Sequence, residues 1–139
     1  MRRVAAWAFF LLSTGCTPSG ITQDFSRFSR CPEKEIEVTD ADYNNGFRGE
    51  AYKASGCGIT ADYVCRHLSC ESPQVIVVKR HAAMYGCNVA NVHVDRIAGA
   101  AWRTSGCNQQ AIFNCFEEYD VPIRCLTDTE ARASRPNRQ

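Results

Sequence analysis

The chain has 139 residues, with 16 Lys and Arg against 15 Asp and Glu and a formal net charge of +1. Without residues 1–15, which hold two arginines and no acid, the balance is 14 against 15, a charge of −1. Such a chain has no basic surplus with which to neutralise phosphates, so nucleic-acid binding is not expected, and its length suits one domain.

The N-terminus has the pattern of an export signal. Arg2 and Arg3 precede an uninterrupted apolar run over residues 4–12. A bilayer-spanning helix needs about 20 apolar residues, so this run is too short to cross a membrane but fits the apolar part of a signal peptide. The alternative is a helix of the protein core, which would carry polar residues at every third or fourth position, and this run has none. We therefore predict a signal peptide over residues 1–15.

The residues that follow the apolar run are Leu12-Ser13-Thr14-Gly15-Cys16. They resemble the lipobox of bacterial lipoproteins, in which Leu usually stands three residues before the cysteine; here Ser13 takes that place. The resemblance implies cleavage before Cys16, attachment of palmitate-type lipid there and a membrane anchor. Because Thr17 rather than Asp follows, it also implies delivery to the outer membrane, on the periplasmic or the outer surface. The alternative is ordinary secretion with Cys16 free.

The cysteine count fits this assignment. Nine cysteines would leave one thiol unpaired in an oxidising compartment. If Cys16 carries lipid, eight remain, which can form four disulfides with no thiol left over. The eight predicted disulfide cysteines are Cys31, Cys57, Cys65, Cys70, Cys87, Cys107, Cys115 and Cys125.

The two ends of the exported part are polar. Residues 16–30 contain Pro, Ser and Gly, which predicts a tether between the lipid and the domain. Phe25 and Phe28 interrupt this segment, and we expect them to dock on the domain rather than lie at the lipid surface. Residues 127–139 hold no large apolar side chain, and we predict a disordered tail there. The folded domain is then expected over residues 31–126.

An internal repeat divides this domain. The residues 52–65 and 102–115 align with five identities in fourteen positions, including both Gly-Cys steps. The first copy, Tyr-x-x-x-Gly-Cys-Gly-x-x-x-x-Tyr-x-Cys, resembles a pattern of uncharacterised cysteine-rich bacterial lipoproteins, from which the second copy departs at Asn108. That group implies an envelope location and a fold, and it carries no activity over to this chain.

Each copy shows short alternating apolar segments, as at Ile36-Glu37-Val38 and Val92-His93-Val94. Asn45-Gly46 is a hairpin-turn signal. We therefore predict a mainly β, small disulfide-rich domain made of two similar β-hairpin or meander repeats, at about 31–70 and 87–125. Val75-Ile76-Val77-Val78 reads as a buried strand that joins them, followed by a short helical turn at 79–85.

Folding each copy about its centre predicts two disulfides. A fold about Asn44 places Cys31 opposite Cys57, and a fold about Ile97 places Cys87 opposite Cys107. Eight cysteines allow 105 connectivities, so other pairings stay open at this stage.

Candidate chemistry is sparse. A cysteine nucleophile needs a free thiolate beside a base such as His67, His81 or His93, whereas disulfides would occupy the thiols. A structural zinc site needs two closely spaced cysteine pairs, and Cys65 with Cys70 has no matching second pair, so no metal and no cofactor are expected. The four repeat-equivalent aromatic residues are expected in the core; they are Tyr52, Tyr63, Trp102 and Phe113.

Clustered acids leave an enzymatic alternative open. Glu117, Glu118 and Asp120 lie together, and Asp40 and Asp42 precede the first turn. Paired carboxylates can hydrolyse glycosidic bonds when their environments separate their pKa values, although adjacent acids in loops are more often solvated. We expect a non-enzymatic, membrane-anchored lipoprotein with a structural or binding role and an unidentified ligand; the alternative is a small exported hydrolase that uses carboxylates.

Overall fold

The computed structural model describes residues 19–41, 47–66, 69–117 and 121–134. The predicted signal peptide, the lipidation site at Cys16 and the predicted turn at 44–46 lie outside these ranges. Among the described residues, no helix combines the length and the hydrophobicity that crossing a bilayer requires.

Two four-stranded antiparallel meanders form the fold, one in each repeat, and their strand orders are β1-β2-β3-β4 and β5-β6-β7-β8. This confirms the predicted mainly β, disulfide-rich architecture of two similar repeats. The strands of the first sheet are β1 (Glu37–Asp40), β2 (Glu50–Gly56), β3 (Ile59–Arg66) and β4 (Ser69–Glu71). Those of the second sheet are β5 (His93–Ala98), β6 (Ala101–Gly106), β7 (Gln109–Phe116) and β8 (Arg124–Thr127). In the described ranges, three α-helices accompany them, α1 (Ser19–Ser29), α2 (Pro73–Tyr85) and α3 (Asp128–Ala133).

Four disulfides staple the two meanders in the same way. Cys31 bonds to Cys57, and Cys87 bonds to Cys107, as the symmetric placement of these cysteines predicts. Each of these bonds ties the segment before a meander to the turn between its second and third strands. Within each sheet, the last two strands are also bridged, by Cys65–Cys70 and by Cys115–Cys125. Both of these pairs face each other in the strand register.

The predicted strand at 75–78 is wrong, because these residues lie in α2. Ser72 caps this helix, since its hydroxyl accepts a hydrogen bond from the Val75 backbone N–H at 3.3 Å, and Pro73 follows at a position that tolerates proline. Gly86 ends it with φ of 66°. The helix is apolar on more than one side because Val75 packs in the core of the first sheet and Val77 in that of the second.

The expectation of a tether over 16–30 also needs correction, because residues 19–29 form α1. Ile21 and Phe25 are fully buried against the first sheet, and Phe28 packs beside them, so the predicted docking of the two phenylalanines is confirmed. In the predicted tail, residues 128–133 form α3, which begins with a capping box between Thr127 and Glu130.

The repeat therefore includes a helix as well as a meander. Helix α1 ends at Ser29 and α2 at Tyr85, 56 residues later. In both copies the next residue has a left-handed backbone, Arg30 with φ of 59° and Gly86 with φ of 66°, and the following residue is the first cysteine. The unit is a helix, a left-handed residue, a cysteine, a short 3-10 turn and four strands.

Helix α3 follows the second meander as α2 follows the first. Its N-cap, Thr127, stands two residues after Cys125, as the α2 N-cap Ser72 stands two residues after Cys70. Each meander is thus followed directly by a capped helix. After the second meander this helix has six residues and buries none of them.

Candidate functional site

The cysteines offer no free thiol in the described part of the chain, because the eight predicted disulfide cysteines form four bonds. Cys31, Glu35 and Cys57 place potential ligand atoms within 4.8 Å of one another. Both sulfurs belong to one disulfide, so they are not thiolate ligands in this state. His67 lies outside the described residues, and His93 is exposed at the start of β5.

Among the predicted acids, Glu117 has a structural role. Its two carboxylate oxygens accept hydrogen bonds from the backbone N–H of Arg48, each at 3.0 Å, and one of them lies 3.4 Å from the Arg66 guanidinium. Asp40 is exposed on β1. The other members of the predicted carboxylate cluster, Asp42, Glu118 and Asp120, fall outside the described residues. Glu117 and Glu71 both pair with the Arg66 guanidinium, so Glu117 joins the two repeats.

The repeat-equivalent aromatic residues lie in the core, as predicted, with one exception. Tyr63 and Phe113 are fully buried, and Trp102 is 6% exposed. Burial and the neighbouring Asp24 carboxylate, which accepts the Tyr63 hydroxyl at 2.9 Å, raise the pKa of Tyr63 far above its usual value. Tyr52 is only half-buried. Its hydroxyl donates to Glu50 at 3.0 Å, and this hydrogen bond is the main cause of a raised Tyr52 pKa.

Two neighbouring core positions are occupied by apolar residues in the first repeat and by polar residues in the second. In the first repeat, Phe25 of α1 packs with Ala54. In the second, His81 and Thr104 take these places, and Nδ1 of His81 lies 2.8 Å from the Thr104 hydroxyl. Nε2 of His81 donates to the Gly106 carbonyl at 3.1 Å. Both side chains are fully buried and hydrogen-bonded, which is the condition for burying a polar pair at low cost.

The two repeats meet where the outer face of β3 reaches the second core. Val64, 2% exposed, belongs to the same apolar cluster as Val77 and Phe113. Around it, Arg66 pairs with Glu71 at 3.2 Å, and Glu71 accepts the Ile123 backbone N–H at 3.0 Å. An apolar centre with a rim of hydrogen-bonded charges is the usual composition of a stable protein interface.

Among the residues that the structure describes, no further repeat packs on the same face of the second repeat. Fifty residues after Val64 and Arg66, β7 carries Asn114 and Phe116. Asn114 donates to Asp128 of α3 at 2.9 Å, and both residues line a shallow cleft of about 590 Å³ between β7 and α3. The cleft residues are Asn114, Phe116, Asp128, Ala131, Arg132 and Ser134. We call the outward-facing side of the second sheet together with this cleft the open face.

The open face is defined only once the two repeats are aligned and the register of their strands is known. Ile112, two residues from Asn114, is 45% exposed and pairs in register with the exposed Arg103. In the sequence, Ala111-Ile112-Phe113 is apolar throughout, so the pattern of β7 does not by itself show that Ile112 lies on the outer side of the sheet. In comparisons with known proteins, no family model, curated protein or solved structure matches this chain.

Proposed function

We propose that this protein is an exported, membrane-anchored lipoprotein with a non-enzymatic structural or binding role. The observation that carries the proposal is the set of four disulfides in a domain of this size. Disulfides persist in oxidising compartments such as the bacterial periplasm and are rare in the cytosol. Together with the apolar run at 4–12 and the Gly15-Cys16 junction, they support export followed by lipid attachment at Cys16.

A binding role agrees with the structural roles of the side chains that could otherwise carry out chemistry. The eight described cysteines form disulfides. Glu117 accepts a hydrogen bond from the Arg48 backbone N–H and pairs with the Arg66 guanidinium. The open face, by contrast, presents Ile112 and Phe116 on a strand whose counterpart in the first repeat serves as an interface. Partly exposed apolar side chains beside a cleft are typical of a docking surface.

The anchor is tested by replacing Cys16 with serine. The Cys16→Ser protein should move from the membrane fraction to the soluble envelope fraction and should lose labelling by a palmitate analogue, because no thiol remains to be acylated. Thr17→Ser is the matched control and should stay anchored. Thr17→Asp should shift the protein from the outer to the inner membrane. Membrane retention of Cys16→Ser with a lipid-modified mass would refute the proposal.

The oxidation state is tested on the exported protein. Alkylation under denaturing conditions should find no free thiol when Cys16 is lipidated, and alkylation after reduction should find eight. Two or more reactive thiols without reduction would contradict an oxidised domain. They would again allow a cysteine nucleophile or a structural zinc site.

A further inference from the structure

Helix α1 begins close to the proposed anchor, since Ser19 stands three residues after Cys16. Consecutive Cα atoms lie about 3.8 Å apart, so the Cα atoms of Cys16 and Ser19 can be separated by at most about 11 Å. A lipid on Cys16 would therefore hold the first turn of α1 beside the lipid headgroups. The surface of the domain next to this turn has to lie at the membrane.

The side of α1 that faces away from the first sheet is polar and basic. The apolar residues of the helix are buried beneath it, whereas Gly20, Gln23 and Arg27 are exposed. Spacings of three and four residues place these three on one side of the helix. Arg30, which follows directly after the end of α1, is exposed as well. We call these four residues the outer face of α1.

The charges around the outer face of α1 leave its two arginines available. In the part of the chain that the structure describes, neither guanidinium pairs with a carboxylate. Asp24, at the flank of the helix, accepts the Tyr63 hydroxyl at 2.9 Å and the Lys79 ammonium at 3.2 Å. Glu33 and Glu35 are exposed in the 3-10 turn beyond the end of α1 that is farther from the anchor. The outer face of α1 itself thus has two positive charges and no acid.

We infer that the outer face of α1 lies on the phosphate groups of the membrane that holds the anchor. Guanidinium groups form charge-assisted hydrogen bonds with phosphate oxygens. One basic residue near an anionic lipid surface strengthens binding about fivefold, so two arginines alone bind weakly, but the anchor keeps them at the surface. The inference rests on the proposed lipid anchor and names the part of the domain that this anchor brings to the membrane.

The packing of the two repeats then places the open face away from the membrane. Helix α1 packs on the inner side of the first sheet, and the second core packs on the outer side of β3. The open face is the far side of the second sheet, so both sheets separate it from α1. Packed layers of secondary structure are about 10 Å apart, which puts about 20 Å or more between α1 and the open face.

Photocrosslinking tests this orientation. The full chain, lipidated in a bacterial host, is reconstituted in vesicles of phosphatidylethanolamine and phosphatidylglycerol, with benzoylphenylalanine in place of Gln23 or Gln110. Both glutamines are exposed, and Gln110 lies on the same side of β7 as Ile112. The variant at position 23 should crosslink to phospholipid, and the matched variant at position 110 should not. Equal lipid crosslinking at both positions would overturn the inference, as would a crosslink from position 23 to a protein.

Two further variants test the charge and the reach. Arg27→Gln should lower lipid crosslinking from position 23 by up to about fivefold, the contribution of one basic residue at an anionic surface. Arg103→Gln, at an exposed position of the second sheet, is the control and should have no effect. A flexible spacer of about twenty Gly and Ser residues after Thr17 should also lower crosslinking, because it lets the domain move about 25 Å from the surface.

Lipid crosslinking that Arg27→Gln or the spacer leaves unchanged would overturn the inference. Flotation of the protein with the vesicles reports the anchor separately. A chain that does not float contradicts the proposed lipid attachment, whereas a chain that floats without crosslinking from position 23 contradicts this orientation alone.

Discussion

Replacing Thr104 with alanine removes the hydroxyl that pairs with Nδ1 of His81 at 2.8 Å. Both side chains are fully buried, so no water reaches the nitrogen that is left behind. A buried polar group without a partner costs about 1–3 kcal/mol. We expect Thr104→Ala to lower the free energy of unfolding by this amount.

The reciprocal change, His81→Phe, leaves the Thr104 hydroxyl with one long contact, to the Ala111 carbonyl at 3.4 Å, and removes the donor to Gly106. A similar loss of about 1–3 kcal/mol is expected. The double variant, however, recreates the Phe25 and Ala54 pair of the first repeat, which is fully buried without any side-chain hydrogen bond between its members. Replacing both partners by apolar groups of similar combined size is nearly neutral, so the coupling free energy should be about 1–3 kcal/mol in favour of the double variant.

Urea denaturation at neutral pH with the disulfides intact measures this cycle. A chain without residues 1–15 has one tryptophan, Trp102, which lies on the same face of the sheet as Thr104 and reports unfolding of the second core. The reasoning fails if the loss in free energy of unfolding in the double variant equals the sum of the losses in the two single variants. It also fails if the double variant is less stable than either single one. Thr60→Ala, at an exposed position of the other repeat, is the control and should lie within about 0.5 kcal/mol of the parent.

Three further measurements address other contacts. Tyr63 has a raised pKa, so its neutral form stabilises the fold below pH 10.0, the ordinary tyrosine value, and the free energy of unfolding should fall as the pH rises above it. In urea midpoints measured over a pH series, Tyr63→Phe should remove that part of the alkaline loss. Glu130 has a lowered pKa, mainly because the Thr127 backbone N–H donates to its carboxylate. Its contribution is therefore present above pH 4.5 and lost as the pH falls through the lowered value, and Glu130→Gln should flatten this acid limb. Gly106→Ala should cost about 1–3 kcal/mol by thermal denaturation, because an added Cβ would overlap the Asn91 carbonyl; a cost near zero would contradict that approach.

The β meanders were readable from the sequence because their signals are local. Alternation fixes which residues of a strand face the core, and each Gly-Cys step marks the turn that the first disulfide of a repeat holds. At both turns the cysteine itself has a left-handed backbone, with φ of 51° at Cys57 and 56° at Cys107, and this feature has no sequence signal. The symmetric spacing of Cys31 and Cys57 nevertheless sufficed to predict the bond.

The helices were missed for different reasons. In α2, Val75 and Val77 serve two different cores, so the apolar residues surround the helix and mimic a buried strand. The boundaries were still legible, since Ser72 precedes Pro73 and Gly86 follows. In α1, the apolar positions 21, 25 and 28 have helical spacing, but the polar residues between them favoured the tether interpretation.

The candidate site could not be derived from the sequence because it depends on which repeat lies beside which strand. Ile112 reads as a strand residue of either face until the register with Arg103 is known. Glu117 reads as a candidate catalytic acid until its contacts with Arg48 and Arg66 are seen. The register of two neighbouring strands decides the first case, and contacts between distant parts of the chain decide the second. The alternation of apolar residues along a single strand reports neither.

The helix-first repeat also explains why the two ends of the molecule differ. In a repeat of this kind, the helix before a meander covers one face of the sheet, and the helix after it covers part of the other face. The first unit has α1 in full, with Ile21 and Phe25 buried beneath it. The second unit is followed by α3, whose six residues bury no side chain, and Ile112 stays 45% exposed. The outer faces of the two meanders therefore differ because the helix that follows the first is long enough to join two cores, whereas the helix that follows the second is not.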